Sequence, residues 1–376
     1  MHDVAVVGAG LAGLSTARLL ASRGLRVLLI DRKSSLAAPI HTTGIFVRKT
    51  WEDFPLPNEQ LGPPIRDVIL YSPSMRRLYF AAGRAEFRIG NMQWIYNAML
   101  DGCGRAGVHW IPQSRFISYD RQGINVVRRN RHETYRVRFV VGADGARSRV
   151  AQQLGLDRNS ELLVGLEDIV ATPPRAAALH CFLDPRLAPG YIGWVAADGR
   201  TAHIGVAGYR GRFDPARSLA AFRSRVAHIA GGRTIERRGG LIPVNGLLRK
   251  IANDRGLLVG DAAGAVSPLT AGGLDGALRL SGLAADVITA YLEHGDPEVL
   301  GAYDGRRFQA RFLARRWMRK LWGVVAHPAV VEALFAGLAL PPLNALARHI
   351  FFSRGSFPDL PSDQWMFARN HSTNAG

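Results

Sequence analysis

The sequence predicts an α/β fold with a Rossmann-like dinucleotide-binding domain, an inserted mixed β-sheet domain and a C-terminal helical region. Three observations support this prediction. A glycine-rich turn joins a strand to a helix at the N-terminus. Two further apolar strands end in glycine-rich turns, at Gly142 and Gly260, and a long series of strand-like segments separates them. A chain of 376 residues is long enough for two or three domains.

The N-terminal motif has the complete context of a dinucleotide-binding turn. An apolar strand over 4–7 leads into GxGxxG, a helix follows, and a second strand ends at Asp31. Gly8 permits the tight turn, Gly10 lets a pyrophosphate approach the backbone, and Gly13 lets helix and strand pack closely. The helix N-terminus favours the phosphate charge, and Asp31 can accept a hydrogen bond from a ribose hydroxyl, but the motif alone does not distinguish FAD from NAD. The residues predicted to contact the cofactor here are Gly8, Gly10, Leu11, Ala12, Gly13, Asp31 and Arg32.

Beyond residue 33, strand-like segments replace the alternation of strands and helices. Apolar and β-branched runs predict strands over 65–71, 76–81, 108–111, 115–119, 123–127, 135–141, 163–171, 178–183, 191–196, 203–207 and 238–242. Helical spacing predicts helices over 91–103, 215–229 and 274–292. We therefore expect a discontinuous cofactor domain (1–64, 84–160 and 246–295), a substrate domain (65–83 and 161–245) and a C-terminal helical region (296–376).

The composition excludes several classes of protein. Hydrophobic residues make up 47% of the chain and charged residues 21%, which is typical of a globular protein and excludes wholesale disorder. The two cysteines, Cys103 and Cys181, are too far apart for a CxxC metal site, and no other metal-ligand cluster or nucleic-acid motif is present. The formal net charge is +18, yet only four of the cations are lysines. The charge therefore fits an anionic cofactor, substrate or membrane surface and, equally, an arginine-rich coding bias.

Three motifs together resemble the FAD-dependent oxidoreductases of the p-hydroxybenzoate hydroxylase-like superfamily, and most closely their geranylgeranyl reductase branch. The first is the N-terminal GxGxxG with Asp31. The second, Gly142-Ala143-Asp144-Gly145 followed by Arg147-Ser148, is similar to the DG motif of that family. The third, Gly260-Asp261-Ala262-Ala263 with Pro268 and Gly273 beyond it, is similar to the GD motif. The resemblance covers residues 3–295 and implies a glutathione-reductase-like FAD-binding domain.

The resemblance also implies further cofactor contacts. Asp261 would accept a hydrogen bond from the flavin ribityl chain, and Gly272, Gly273 and Leu274 would direct helix amides at the flavin pyrimidine ring. Arg88 lies where the family has an arginine that opens a helix near the FAD, and Asp144 would tie the DG loop to the FAD domain. The chain has Ala271 where the family often has a glycine, which puts the geometry of this loop in question.

The substrate is expected to lie against the inserted sheet. Tyr191 and Trp194 resemble the aromatic strand pair of the family and would line an apolar pocket, although packing within the sheet explains them equally well. The loop over 39–45 lacks the cysteine that geranylgeranyl reductases often carry there, and His41 is its only candidate acid or base, a weak one. Because no second GxGxxG motif is present, NAD(P)H would bind transiently or a carrier protein would supply the electrons.

Three functions remain open on the sequence alone. The favoured one is reduction of a carbon–carbon double bond in an apolar isoprenoid or polycyclic substrate. The alternatives are a hydroxylase or epoxidase of the same fold and a non-catalytic, membrane-associated flavoprotein. Arginines and aromatic residues alternate over 306–322, which is typical of a helix at an anionic membrane surface and also of a helix packed on the protein. With no secretory signal at the N-terminus, we expect a cytoplasmic protein, either free or peripheral on the inner membrane face.

Overall fold

The computed structural model describes residues 1–36, 40–172 and 178–352. Its strands are β1 (His2–Val7), β2 (Val27–Ile30), β3 (Ile45–Val47), β4 (Asp67–Tyr71), β5 (Arg77–Ala81), β6 (Phe87–Ile89), β7 (His109–Ile111), β8 (Ser114–Asp120), β9 (Gly123–Arg128), β10 (Arg131–Tyr135), β11 (Val137–Gly142), β12 (Leu162–Ala171), β13 (Ala178–Phe182), β14 (Gly193–Ala197), β15 (Thr201–Tyr209), β16 (Thr234–Pro243), β17 (Ala252–Asn253) and β18 (Gly256–Leu258). Its α-helices are α1 (Leu11–Ala21), α2 (Arg48–Asp53), α3 (Met92–Arg105), α4 (Arg149–Leu154), α5 (Pro215–Arg225), α6 (Leu274–His294), α7 (Ala310–Val324), α8 (Pro328–Leu338) and α9 (Pro341–Phe352). Short 3-10 helices cover Asn58–Gln60, Gly260–Ala263, Pro297–Tyr303 and Gly305–Phe308.

A six-stranded sheet in the order β17-β18-β11-β1-β2-β7 forms the first layer. The pairs β1–β11, β1–β2, β2–β7 and β11–β18 are parallel, and only β17 pairs antiparallel. The central strand β1 is a continuous apolar run whose residues Val4, Ala5 and Val6 are fully buried, as a parallel strand covered on both faces requires. Helices α1 and α6 pack together beside this sheet, and the glycine-rich turn at its edge therefore lies next to α6.

A seven-stranded mixed sheet in the order β16-β12-β15-β14-β13-β4-β5 forms the second large layer. Its pairs are antiparallel except β13–β4, which is parallel. Strands β4 and β5 therefore join a sheet whose other members lie between 162 and 243. Helix α5 begins at an Asp214 cap, whose side chain accepts from the amides of Ala216 and Arg217, and it packs on β12 and β15.

Several element boundaries differ from the predicted ones. The strand predicted over 135–141 is two strands, because Tyr135 ends the β9–β10 hairpin and Val137 begins β11 of the other sheet. Tyr191 lies before β14, which begins at Gly193, and the helix predicted over 215–229 ends at Arg225. The short pair β3–β6 and helix α2 were not predicted, because three to six residues carry too little periodicity to detect.

Helices α7–α9 follow α6 and two 3-10 turns, and the remainder of the predicted C-terminal region, 353–376, lies outside the described residues. Arg319, one of the basic residues of the predicted helix, is buried and lies about 5.1 Å from the ring centres of both Tyr191 and Tyr209. This part of α7 is therefore packed on the protein, and Arg319 does not belong to a solvated basic face. In the described part of the chain no single helix is long and apolar enough to cross a membrane, whereas α8 and α9 together meet that length and composition with a 98° bend between them.

Candidate flavin and substrate site

A cavity of about 760 Å³ extends along both large sheets and the C-terminal helices. Its wall contains the glycine-rich turn, the loop after β18, the inner face of the mixed sheet and side chains of α7–α9. Ten of the predicted site residues lie on this wall, namely Gly10, Leu11, Ala12, His41, Tyr191, Trp194, Asp261, Gly272, Gly273 and Leu274, and Ala143 and Gly145 of the DG motif lie there too. The structure therefore brings the three sequence motifs and the aromatic pair to one place.

The three glycines of the N-terminal motif have different surroundings. A Cβ at Gly8 would lie 2.3 Å from the Ala143 carbonyl oxygen, and Gly8 also has a positive φ of 106°. A Cβ at Gly13 would lie 1.8 Å from the Gly8 carbonyl oxygen, so both positions exclude any side chain because of the protein itself. A Cβ at Gly10 meets nothing within 4 Å. Gly10 therefore faces open space in the cavity wall, as a backbone that a pyrophosphate approaches should.

Asp31 stabilises the glycine-rich turn by hydrogen bonds from a position outside the cavity wall. Its carboxylate accepts from the amide of Ala9 at 2.7 Å and from the amide of Lys33 at 2.8 Å. Asp31 and the exposed Arg32 do not line the cavity, whereas Lys33, which the sequence analysis did not single out, does. A ribose contact for Asp31 therefore stays a prediction, while its contribution to the shape of the turn is directly visible.

Two helix N-termini are exposed at the cavity wall. Helix α1 begins after Gly10 and helix α6 after Gly273, and in the described part of the chain no side chain caps either of them. Uncapped N-terminal amides carry partial positive charge and attract anionic groups. One helix therefore suits a pyrophosphate and the other the electron-rich pyrimidine edge of a reduced flavin.

Asp261 lies beside the N-terminus of α6, since a Cβ at Gly273 would be 3.5 Å from its Oδ1. Among the described residues no donor hydrogen-bonds its side-chain carboxylate, and burial raises its pKa to about 6. The backbone carbonyl of Asp261 is occupied, since it accepts from Asn159 Nδ2 at 2.8 Å. A carboxylate left without a donor beside open space is suited to bind a ligand hydroxyl.

The loop that precedes α6 keeps its turn in spite of the missing glycine. Ala271 has a φ of 51°, the left-handed conformation that a glycine adopts freely. Its amide donates to the carbonyl of Ser267 at 2.9 Å, and the amide of Ser267 donates to the carbonyl of Gly272 at 3.0 Å. The turn before α6 therefore forms with alanine at this position, at a cost of about 1–2 kcal/mol, and its fit to a flavin stays a prediction.

Two residues implied by the resemblance have structural roles outside the cavity. Arg88 lies on β6, and its guanidinium donates to the carbonyls of Gly62 and Leu61 at 2.8 Å each. Arg88 does not itself open a helix, because α3 begins at Met92 behind an Asn91 cap, and a cofactor contact of Arg88 stays a prediction. Asp144 accepts from Ser148 Oγ at 2.6 Å and from the amides of Arg149 and Val150, and so it holds the start of α4.

The aromatic pair and His41 occupy fixed positions on the wall. The Tyr191 hydroxyl donates to the carbonyl of Thr270 at 2.8 Å, which ties the mixed sheet to the loop before α6. Trp194 Nε1 donates to the carboxylate of Glu167 at 3.0 Å. His41 Nδ1 lies 2.7 Å from the carbonyl oxygen of Gly239, so one of its two ring nitrogens is already engaged by the backbone.

Glu167 and Thr43 also line the cavity, and the sequence analysis missed both of them. Glu167 lies on β12 within an apolar run, and its carboxylate contacts His203 Nδ1 at 3.2 Å and the hydroxyl of Thr43. Two adjacent acidic residues, Glu167 and Asp168, inside an otherwise apolar strand are a signal that would have identified this cluster. Arg238 lies opposite Glu167 on the neighbouring strand β16 and is another missed residue of the wall.

The far end of the cavity is apolar and is built by the C-terminal helices. Met318, Leu321, Trp322 and Val325 come from α7 and its end, and the Trp322 ring nitrogen donates to the carbonyl of Tyr191 at 3.2 Å. Helices α8 and α9 add Leu334, Leu338, Leu346, Ala347, Ile350 and Phe351. This wall extends the cavity well beyond the glycine-rich turn and Asp261.

The residues that line this cavity fit FAD. The open space at Gly10, the two uncapped helix N-termini and the unpaired carboxylate of Asp261 offer partners for a pyrophosphate, a flavin ring and a ribityl hydroxyl. The fold and this site define an FAD-dependent oxidoreductase.

Comparisons with known proteins agree with that class. A family model described as an FAD binding domain matches residues 100–316, and one described as FAD dependent oxidoreductase matches residues 3–88. Digeranylgeranylglycerophospholipid reductase 1 of Methanopyrus kandleri is 30% identical over 315 residues, which cover 78% of this chain and 82% of the relative. The chain therefore belongs to the FAD-dependent oxidoreductases and, within them, to the geranylgeranyl reductase family.

Solved structures match the fold. A geranylgeranyl bacteriochlorophyll reductase-like protein from Thermoplasma acidophilum has a TM-score of 0.79 at 20% identity, covering 89% of this chain and 90% of that protein. A probable FAD-dependent monooxygenase from Pseudomonas aeruginosa, PqsL, has a TM-score of 0.65 at 21% identity, covering 89% and 99%. Both reductase-like and monooxygenase proteins share the fold, so the fold alone does not select the reaction.

Proposed function

We propose that this flavoprotein reduces carbon–carbon double bonds of an isoprenoid lipid. The observation that carries the proposal is the shape and chemistry of the cavity, which runs from the predicted flavin contacts to a long apolar end. An extended apolar chain with few polar groups is the ligand class that such a wall accommodates. The relative from Methanopyrus kandleri named above, a digeranylgeranylglycerophospholipid reductase, supports the same substrate class.

The cofactor contacts follow from the geometry at the polar end. Gly10, Leu11 and Ala12 would hold the pyrophosphate, Asp261 a ribityl hydroxyl, and Gly272–Leu274 the pyrimidine edge of the flavin. Bound and reduced FAD supplies a hydride to the substrate. The residues 1–64, 84–160 and 246–295 form the FAD domain in this proposal, with 65–83 and 161–245 presenting the substrate. NAD(P)H is the proposed electron donor and binds only transiently.

The substrate enters from a membrane surface in this proposal. Most exposed large apolar side chains of the described residues lie on α7–α9. On α7, Leu313, Trp317, Leu321 and Val324 recur every three or four residues and are 56–77% exposed, so they form one face. Leu321 is both exposed and part of the cavity wall, as are Leu334 of α8 and Leu346 of α9. The apolar end of the cavity therefore opens beside an exposed apolar surface.

Anaerobic turnover tests the reaction. The enzyme is incubated with NADPH, or reduced first with dithionite, and then mixed with a geranylgeranyl-bearing glycerophospholipid in detergent. We expect the flavin to reoxidise and the lipid to gain two hydrogens for each reduced double bond, measured by mass spectrometry. A product that gains one oxygen only after air is admitted would identify a hydroxylase and contradict the proposal.

Vesicle binding tests the membrane surface. The perturbation reverses three exposed or half-exposed cations beside the apolar face, Arg307→Glu, Arg316→Glu and Lys320→Glu. Because each cation near an anionic leaflet contributes about 1 kcal/mol, the triple variant should lose at least about 100-fold in affinity for vesicles with phosphatidylglycerol. Arg319 is left unchanged because it is buried.

A matched control reverses three exposed arginines in or next to the β8–β10 sheet that do not line the cavity, namely Arg121, Arg131 and Arg136. The control should sediment with anionic vesicles as the wild type does, and both should release at high salt as charges are screened. Equal loss in both triple variants would mean that net charge alone drives binding. No sedimentation of the wild type at low salt would remove the membrane from the proposal.

A further inference from the structure

A buried arginine of α7 lacks a hydrogen-bond acceptor. Arg319 is 1% exposed, and in the part of the chain that the structure describes none of its three guanidinium nitrogens has an acceptor. The central carbon of the guanidinium lies 5.1 Å from the ring centres of both Tyr191 and Tyr209. We call Arg319 and these two rings the Arg319 cage. Two aromatic faces, and not a carboxylate, therefore surround this charge.

A second buried arginine shows the usual way in which this protein stabilises a buried charge. Arg279 of α6 is also 1% exposed, but its guanidinium contacts the carboxylates of Asp53 and Asp275. Helix α7, by contrast, contains five cations and no acidic residue. Burying a charge without a counter-charge is costly, and cation–π contacts offset part of that cost. The observed position of α7 is therefore electrostatically unfavourable at Arg319.

The two tyrosines of the Arg319 cage are fixed to the body of the protein. The Tyr191 hydroxyl donates to the carbonyl of Thr270, in the loop before α6, at 2.8 Å. Tyr209 ends β15, and its amide donates to the carbonyl of Pro189 at 3.1 Å. A Cβ at Gly190 would lie 2.4 Å from the Tyr209 ring, so this ring packs directly on the backbone. A movement that separates Arg319 from the rings would therefore be a movement of α7.

The second half of α7 closes the apolar end of the cavity. Leu321 and Trp322 both line the cavity, and Leu321 is 66% exposed on its outer side. Towards the mixed sheet, Trp322 Nε1 donates to the carbonyl of Tyr191 at 3.2 Å, and Arg212 donates to the carbonyl of Gly323 at 3.0 Å. Because the same stretch of helix meets the cavity on one side and the exposed apolar face on another, its displacement would open the cavity towards that face.

We propose that α7 is a lid over the apolar end of the cavity, that the Arg319 cage holds it closed, and that the phosphate of a membrane lipid opens it. This inference rests on the membrane entry proposed above and names the charge that controls it. On an anionic membrane, a lipid phosphate offers the guanidinium of Arg319 the acceptors that it lacks in the closed structure. Arg319 then leaves the two rings, α7 moves away from the mixed sheet, and an isoprenoid chain enters the cavity.

Arg319 and the exposed cations of this region have different roles in the proposal. Arg307, Arg316 and Lys320 are exposed or half-exposed, so they attract the protein to an anionic surface. Arg319 is buried and contributes nothing to that first attraction. A ligand shifts a conformational equilibrium only if it binds one state more tightly. The lipid phosphate meets this condition, because it reaches the Arg319 guanidinium only after α7 has moved.

The distance between two spin labels tests the movement of α7. One label is attached at Ala314→Cys, which is exposed on α7, and the other at Ser224→Cys, which is exposed on α5. Both native cysteines are buried, and labelling precedes the addition of vesicles. In the FAD-loaded protein, pulsed electron paramagnetic resonance should show one distance in solution and a second one on phosphatidylglycerol vesicles. Phosphatidylcholine vesicles or inorganic phosphate should leave the single distance unchanged.

Substitution of Arg319 separates its charge from its packing. Arg319→Met fills the space between the rings without a charge, and Arg319→Lys keeps the charge. The matched control is Arg255→Met, because Arg255 lies 5.0 Å from the ring centre of Tyr119, outside the Arg319 cage and the cavity wall. All three variants should sediment with anionic vesicles like the wild type. We expect Arg319→Met to lack the second distance and the other two to show it.

Lipid reduction provides a second readout for the same variants. A lid that stays closed lowers the apparent affinity for the lipid but not the rate at saturation. Loss of one hydrogen bond to a charged group corresponds to about 10- to 100-fold in an equilibrium constant. In Arg319→Met, half-maximal flavin reoxidation should therefore need about 10- to 100-fold more geranylgeranyl lipid in anionic vesicles. Arg255→Met should match the wild type.

Weakening the Arg319 cage should have the opposite effect to removing the charge. Tyr209→Leu removes one of the two rings, so the second distance should appear in part without any vesicles. This variant also tests the proposal if Arg319→Met does not fold. A single distance in Tyr209→Leu, identical to that of the wild type in solution, would contradict the role of the cage.

The outcomes distinguish the lid from the proposed function. If the wild type does not sediment with anionic vesicles, membrane entry is wrong and the lid proposal fails with it. If the wild type sediments but keeps a single distance, or if Arg319→Met opens as the wild type does, membrane entry stands and the lid controlled by Arg319 is refuted. Opening by inorganic phosphate alone would identify a response to soluble anions and contradict the membrane as the trigger.

Discussion

Replacement of Gly10 by alanine should separate cofactor binding from folding. Gly10 has φ −82° and ψ −175°, an extended backbone that any residue adopts, and a Cβ there meets no protein atom within 4 Å. Alanine therefore introduces no strain in the protein without FAD. Alanine stabilises the protein because it lowers the entropy of the unfolded chain, and it destabilises the protein because it is a poorer N-cap than glycine. Since the two effects oppose each other, the free energy of unfolding should change by less than about 1 kcal/mol.

The same methyl group would occupy the space that a bound pyrophosphate needs. Displacing the pyrophosphate removes at least one hydrogen bond to a charged group, worth about 1.5–3 kcal/mol, so FAD affinity should fall about 10- to 100-fold or more. Titration calorimetry of the FAD-free protein with FAD measures this loss. Thermal unfolding of the same sample should shift by less than about 3 °C.

Two further glycine-to-alanine substitutions serve as controls for Gly10→Ala. Gly13→Ala would place its Cβ 1.8 Å from the Gly8 carbonyl oxygen, so it should destabilise the protein even without FAD. Gly104→Ala on α3 meets nothing within 4 Å and lies outside the cavity wall, so it should leave FAD binding unchanged and stabilise the helix by up to about 1 kcal/mol. If Gly10→Ala bound FAD like the wild type, the pyrophosphate would not lie at Gly10 and the assignment of the turn would be refuted.

Two more predictions concern the loop before α6. Because burial raises the pKa of Asp261 to about 6, ionising it destabilises the FAD-free protein as the pH rises from about 4 to 6. Asp261→Asn should therefore raise the melting temperature of the FAD-free protein at pH 7.5 but not at pH 4, while it weakens FAD binding about tenfold or more; an equal change at both pH values would contradict an ionised, unpaired carboxylate. Ala271→Gly should stabilise the protein by about 1 kcal/mol, because glycine adopts a φ of 51° without strain, and a loss of stability in thermal unfolding would contradict the left-handed backbone.

The sequence by itself determined the class of the protein. The turn at Gly8–Gly13, the DG motif and the GD motif each depend on residue types at short, fixed spacings, and a nucleotide cofactor requires these types because of backbone approach and helix dipoles. Strands such as β1 were also visible, because a buried parallel strand is a short apolar run bounded by glycine. These motifs and strands can be recognised in the sequence because the residues that define each of them lie within a few positions of one another.

Only the tertiary structure decided which side chains meet. Thr43, Glu167 and His203 come from a loop and two strands more than thirty residues apart, and hydrogen bonds across strands leave no periodic trace in the sequence. Arg88 shows the converse, since its position suggested that it opens a helix, but it lies on β6 and its guanidinium donates to carbonyls of the 58–62 loop.

The packing of the C-terminal helices could not be predicted from the sequence either. The amphipathic pattern over 306–322 predicted a helix, yet the sequence did not reveal that α7–α9 complete the apolar wall of the cavity or that Arg319 is buried against two tyrosine rings. An amphipathic helix has the same pattern whether its apolar face meets a lipid, a ligand or the protein core. The partner of that face is determined by long-range packing, and the free energy of such packing depends on surfaces that the local sequence does not contain.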